Sequence, residues 1–217
     1  MTSMVDTNLF YKKNEHPIHG TWLSVDVVAF TEDEPEAKVV LITRQGTPHR
    51  GKPTLPGGLL AAWDGETVEQ AARRIVAEKV GVPLAGDPVV VDVVSDPQRD
   101  ERGHTVSIVV AVRVPADTTG AVSVKDVPDN MPFGHTNMVR DTVTALRERL
   151  FVDTKTTRAM LGDITTVPYT HAMMSALETV GDATVRSRLE RSGMYVKSNN
   201  LASKGTGRPA AVWTFSN

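Results

Sequence analysis

The chain has 217 residues, 40% of them apolar and 23% charged, with 24 Lys+Arg against 26 Asp+Glu and no cysteine. That is a globular composition, long enough for one large domain or two modest ones. The lack of cysteine excludes a disulfide framework, a thiolate metal site and a catalytic cysteine. No apolar run approaches the roughly 20 residues that span a bilayer. Residues 1–20 carry Asp6, Lys12, Lys13 and Glu15 in place of an apolar signal core. The expectation is a cytoplasmic protein with no membrane contact. Charge divides unevenly along the chain, with 16 basic and 22 acidic residues up to Asp153 but 8 and 4 beyond it. The second part therefore presents a candidate surface for a polyanion.

Taken in order, residues 23–30 and 38–43 read as Val/Ile-rich strands, and Gly57-Gly58 as a turn. Residues 67–80 place Val68, Ala72, Ile75, Val76 and Val80 at helical spacing, with Asp64 or Thr67 as the cap and Gly81 as the stop. Strands follow at 89–94 and 105–114, then an amphipathic helix at 136–151 with Val139, Val143, Leu146 and Leu150 on one stripe. This half predicts a mixed sheet with helices packed on it. Short helices are expected at 155–161, 168–180 and 183–192, then strands at 194–197 and 210–215 around the Gly-rich connection 203–209. Helices followed by a basic hairpin are the outline of a winged helix-turn-helix. Met173, Met174 and Leu177 read as core.

The most specific stretch is Leu55-Pro56-Gly57-Gly58, followed by Glu66, Arg74, Glu78, Gly81 and Val82. Its spacing resembles the Nudix family: a Gly-rich turn, a Glu eight residues before an Arg, and a closing Gly-apolar pair. In that family a loop–helix–loop gathers carboxylates on one helical face, where they chelate a divalent metal on a pyrophosphate and activate water. Arg44, Arg50 and Lys52 before the turn, and Asp96-Pro97 through Arg102-Gly103 after the helix, look like the branch that handles ADP-ribose. Family members follow the Arg with a metal-binding Glu and place paired carboxylates a turn later. Here those positions hold Ile75, Glu78 and Lys79, and the Gly58–Glu66 loop is two residues longer. One carboxylate of three beside a lysine does not neutralise Mg²⁺ in the usual way, so no catalytic residue and no metal site are expected. The six scattered histidines show no metal-ligand spacing.

On the predicted helix 183–192, Val185 and Leu189 face a core, which turns Thr184, Arg188 and Arg191 outward with Arg186 and Ser187 at the flanks. Arg and small hydroxyls suit a major groove, and Lys197, Lys204 and Arg208 would meet neighbouring phosphates. A degenerate Nudix domain joined to such a tail resembles the Nudix-related transcriptional regulators of NAD metabolism, the NrtR family. Pro132-Phe133-Gly134-His135 is similar to a short aromatic-x-His element of that family. The resemblance implies an α+β fold, a Nudix-like mixed α/β/α sandwich followed by a winged helix-turn-helix domain. It implies an N-terminal extension over 1–20, an effector-binding domain over 21–153 and a DNA-binding domain over 154–217. It further implies a homodimeric repressor on a palindromic double-stranded operator of NAD-biosynthesis genes. ADP-ribose or a related nucleotide would be the effector, held by Arg44, Arg50, Gly57, Gly58, Glu78 and Arg102, with no cofactor required. The alternative is a Nudix hydrolase acting on ADP-ribose or another nucleoside diphosphate derivative. Residues 155–167 match the winged pattern poorly.

Overall fold

The computed structural model describes residues 20–32, 35–202 and 210–216. In the first part the chain forms β1 (Trp22–Thr31), β2 (Lys38–Val40), β3 (Ile42–Thr43), β4 (Pro53–Thr54), β5 (Gly57–Leu59), α1 (Val68–Lys79), β6 (Val89–Val94), β7 (Thr105–Val114), β8 (Ala121–Ser123) and α2 (His135–Arg149). The second part forms α3 (Thr154–Leu161), β9 (Ile164–Thr166), α4 (Val167–Ser175), α5 (Asp182–Arg191), β10 (Tyr195–Ala202) and β11 (Ala210–Phe215). Among the described residues no helix is long and apolar enough to cross a membrane.

The main sheet runs β6-β7-β1-β2-β8, with β5 also paired to β1. Its centre is a parallel pairing of β1 with β7 over their whole lengths, from Trp22↔Thr105 to Thr31↔Val114. Side chains alternate across a strand, and both faces are covered. Val25, Val27 and Ala29, with Val110 and Val112, pack on Ala71, Ala72, Ile75 and Val76 of α1. On the other face Val28, Phe30, Val109 and Ala111 meet Met138, Val139 and Leu146 of α2. Helix α1 begins where expected, because Thr67 and Gln70 exchange side chain–backbone bonds in a capping box.

The three-stranded sheet β10-β11-β9 closes over α3, α4 and α5 as a winged helix-turn-helix. Its apolar residues Met160, Leu161, Met173, Met174, Val185, Leu189 and Trp213 belong to the same cluster as the α2 face of the main sheet. One polar group crosses that cluster. Arg113 on β7 is buried, and its guanidinium donates to Ala159 O (2.6 Å), Ala85 O (2.9 Å), Glu32 Oε1 (2.8 Å) and the Tyr169 hydroxyl (3.0 Å). A buried guanidinium is tolerated only when its donors are satisfied.

Several expectations change in detail. The predicted strand 38–43 splits at Leu41, whose N–H donates to Gly120 O; β2 joins the main sheet while β3 pairs with β4. Residues 57–59 form a strand, not merely a turn. Helix α4 stops at Ser175, five residues early, because Ala176 and Leu177 turn back into the core and the His171 ring reaches Val180 O at 2.9 Å. Strand β10 extends to Ala202 through a shift of register with β11 between Lys197 and Leu201. The stretch 155–167 supplies α3 and β9, the latter pairing with β11 through Val212↔Thr166 and Thr214↔Ile164.

Arg113→Met is expected to lower stability by about 3 kcal/mol, since it removes a buried charge from four acceptors. Urea denaturation measures this. Arg113→Lys should recover only part of the loss, because an ammonium lacks the planar fork that reaches both sides.

Candidate functional site

Where the polar ends of β1 and β7 meet β5, Ser24 and Asp26 lie beside Ser107 on one face. Asp26 is buried and accepts from the Ser107 hydroxyl and, at 3.3 Å, from Ser24 Oγ. His135, at the start of α2, places Nε2 3.4 Å from Asp26 Oδ1. Its Nδ1 accepts the Leu55 N–H at 2.9 Å, which leaves Nε2 as the nitrogen that carries a proton towards Asp26. Burial alone would raise the Asp26 pKa, but the bonds from His135 and Ser107, with Arg99 nearby, outweigh it and hold the carboxyl at about 2. Gly57 stands opposite Asp26 across β1 and β5, and a Cβ there would lie 1.9 Å from Asp26 Oδ1. Only glycine leaves room for the carboxylate.

Above this floor opens a cavity of about 970 Å³ lined by Trp22, Arg44, Gly57, Gly58, Glu78, Lys79, Arg99, Asp100, Arg102 and Phe133 among others. Phe133 sits in the left-handed region (φ 61°), and its carbonyl is held by Arg99 Nη1 at 3.0 Å. Arg44 and Arg102 stack over its ring, 4.8 and 5.1 Å from the centroid. Arg44 is steadied by Pro48 O (2.5 Å) and Thr47 O (3.2 Å), and Arg102 by both oxygens of Asp100 (2.9 and 2.7 Å). Burial, and then repulsion from Arg102, lower the Arg44 pKa from its ordinary value. Such mutual crowding of guanidiniums marks a place where an anion is welcome.

The box residues divide by role. Glu66 accepts Arg74 Nε (2.6 Å), Arg74 Nη2 (2.9 Å) and the Ala61 N–H (2.8 Å), and Arg74 Nη2 also donates to Leu59 O (3.1 Å). These bonds tie the lengthened loop to α1, and they lower Glu66 to about 2, the Arg74 bonds acting most strongly. Ile75 is sealed in the core under Gly58. Lys79 donates to Gly57 O, and Glu78 is exposed 3.5 Å from Arg74. Among the described residues no three of His, Asp and Glu are placed to hold a metal ion. Of the three carboxylates lining the cavity, two are occupied, Asp26 by Ser107 and His135 and Asp100 by Arg102, which leaves only Glu78. This donor set does not fit the divalent cation of a Nudix hydrolase.

Of the ligand positions expected from sequence, Arg44, Gly57, Gly58, Glu78 and Arg102 line the cavity. Arg50 does not: it is exposed on the loop after β3 and is not part of the lining. Sequence reasoning missed Asp26, which stands in an ordinary strand context, and gave no individual role to Arg99 and Asp100 within the flagged stretch 96–103; the aromatic-x-His element at Phe133 and His135 was also visible.

On α5, Val185 and Leu189 are fully buried while Thr184, Arg186 and Arg191 are exposed, with Ser187 half-buried. Lys197 is exposed on β10. Arg188 departs from expectation: it is half-buried and ion-paired with Glu178 after α4, so it braces α4 against α5 instead of facing outward. Its pairing partner lies ten residues away across a turn, which helical spacing alone does not reveal. Lys204 and Arg208 lie outside the described residues.

The chain belongs to the Nudix family: the profile of the NUDIX domain matches residues 20–136. Beyond the family, it is similar to two curated proteins. It is 41% identical over 76 residues to the ADP-ribose pyrophosphatase of Methanocaldococcus jannaschii, a match covering 35% of this chain and 43% of that protein. It is 28% identical over 100 residues to the ADPR responsive transcriptional repressor NtrR of Acinetobacter baylyi, covering 45% and 38%. The chain thus spans less than half the length of either curated relative. Among solved structures, Shewanella oneidensis NrtR complexed with a 27mer DNA shares the fold, with a TM-score of 0.67 and 23% identity over 89% of this chain and 93% of that one.

Gly57→Ala is expected to cost about 1–3 kcal/mol, as overpacking against a fixed carboxylate does. Because the Asp26 pKa is depressed on folding, its contribution of about 2 kcal/mol is complete above about pH 4 and lost as pH falls towards 2. Denaturant titrations across that window should show the loss in the native chain and a flatter profile in Asp26→Asn.

Proposed function

We propose that the protein is a DNA-binding transcriptional regulator, a repressor of NAD-metabolism genes, whose Nudix domain senses ADP-ribose or a related nucleotide. The observation that carries this reading is the fate of the box. Its loop-holding pair Glu66–Arg74 is kept and the arginine-rich cavity is open, while two metal positions hold a core isoleucine and a lysine. A fold so arranged binds an anion without the means to activate water on it. The ADPR-responsive repressor from Acinetobacter baylyi and the DNA complex of Shewanella oneidensis NrtR support the same reading. In this proposal residues 21–153 bind the effector and residues 154–217 bind DNA. The protein acts in the cytoplasm as a homodimer on a palindromic site, with half-sites about one helical turn or a multiple apart. Thr184, Arg186, Ser187 and Arg191 address the major groove, with Lys197, Lys204 and Arg208 on phosphates.

The competing reading is an ADP-ribose pyrophosphatase, favoured by the Methanocaldococcus jannaschii relative. It requires turnover with Mg²⁺ or Mn²⁺ that disappears in Glu78→Gln. We expect none. Ile75→Glu is not a simple restoration, because it would bury a carboxylate in the α1 core at a cost of several kcal/mol.

Fluorescence anisotropy on the chain's own upstream region tests the regulator. Arg191→Ala or Arg186→Ala should cost about 1–3 kcal/mol and relax specificity at one base pair, whereas Lys197→Ala should weaken all sequences and reduce the salt slope by about one. ADP-ribose should shift the affinity for that region. Equal affinity for unrelated duplex would overturn the proposal, since phosphate attraction alone would then explain the basic tail.

A further inference from the structure

The cavity contains one cation that stands where the family places a metal-binding carboxylate. Lys79 is the last residue of α1, at the second position of the carboxylate pair, and lines the cavity. Although the residue is exposed, its ammonium has a defined partner. It reaches back over Gly57 and donates to that carbonyl, above the strand that carries Asp26. An ammonium has three N–H donors, so the Gly57 bond leaves two for a ligand. Around it the lining holds Arg44, Arg99 and Arg102, making four cations with Lys79 against the three carboxylates Asp26, Glu78 and Asp100. Two of those carboxylates are occupied by Ser107, His135 and Arg102. The resident positive charge therefore exceeds what the lining neutralises.

We propose that the Lys79 ammonium takes the place of the divalent metal, so that this cavity binds the diphosphate of its nucleotide without any metal ion. This rests on the effector-binding reading above and names the charge that makes it work. In a Nudix enzyme the ligand's negative charge is balanced by metal ions which the carboxylates recruit. Here the helix supplies a fixed charge directly, and Arg44 and Arg102, braced on Phe133, supply bidentate forks for the remaining phosphate oxygens. Desolvation against the cavity wall lowers the Lys79 pKa from its ordinary value, opposed by Asp26. An arriving diphosphate reverses that penalty. A metal-independent site would also report nucleotide concentration regardless of free Mg²⁺.

Calorimetry of the full chain with ADP-ribose, and separately with inorganic pyrophosphate, in chelator and in excess Mg²⁺ tests this. The native chain should bind equally well with and without metal. Lys79→Met should weaken binding at least about tenfold, the value of one charge-assisted hydrogen bond. Lys79→Glu should bind poorly in chelator and regain affinity when Mg²⁺ is added, because Glu78 and the new carboxylate then form a metal pair. A lysine serving only to tie α1 to β5 would not create this metal dependence. Binding by the native chain only in Mg²⁺, or an unchanged affinity in Lys79→Met, overturns the inference while leaving the regulator reading intact. Metal-free binding of pyrophosphate but not of ADP-ribose supports the inference and overturns ADP-ribose as the effector. No binding of either probe overturns both.

Discussion

The parallel pairing of β1 with β7 is the constraint on which the rest of the molecule depends. Ten residues of each strand run in register, which aligns Ser24 with Ser107 at one end and Phe30 with Arg113 at the other. On a single face the pair therefore presents a polar end, an apolar middle of Val28, Val109 and Ala111, and then a buried guanidinium. The polar end is the floor of the cavity, and the guanidinium holds the winged part through Ala159 and Tyr169. Cavity and winged part are thus attached to opposite ends of the same two strands. A slip of one residue in the register would turn Asp26 and Arg113 into the α1 side of the core.

At the cavity floor, local rules are set aside for the sake of buried polar groups. Asp26 is kept ionised by donors from β7 and α2, and Gly57 gives up its side chain to make room for it. Phe133 accepts a left-handed backbone, and Gly134 after it does too, so that the ring faces the cavity while His135 starts α2 pointed at Asp26. Strain of this kind persists only where surrounding bonds over-determine it, and here Arg99 grips the Phe133 carbonyl. The Nudix box is divided in the same spirit. Glu66 and Arg74 fold the loop, and that task remains whether or not the helix carries metal ligands.

The winged part shares its core with the sheet, with Met160, Leu161, Met173 and Met174 continuing the apolar cluster under α2. It also borrows a backbone hydrogen bond, in which the Ala37 N–H donates to Ala172 O. Arg188 is used in this bracing, paired to Glu178, and leaves Arg186 and Arg191 as the exposed guanidiniums of α5. Charge counted along a helix overstates what it can offer a partner, because some of it is spent internally.

The sequence by itself determined the fold class, the spans of β6, β7 and β11, the start of α1 and the Nudix spacing of its box. These are local signals: Val- and Ile-rich runs, a capping residue, and glycine at fixed intervals. It also showed that Ile75 and Lys79 replace carboxylates. Only the tertiary structure decided what those replacements do, since Ile75 is sealed under Gly58 and Lys79 turns onto Gly57, contacts made across 17 and 22 residues. The same holds for Asp26, Arg99 and Asp100, whose importance arises from partners on other elements, and for Arg50, which lies near the motif in sequence yet outside the cavity. Short strands such as β4, β5 and β9 were equally hidden. Two or three residues carry no periodicity, and they become strands only because a longer neighbour satisfies their backbone groups.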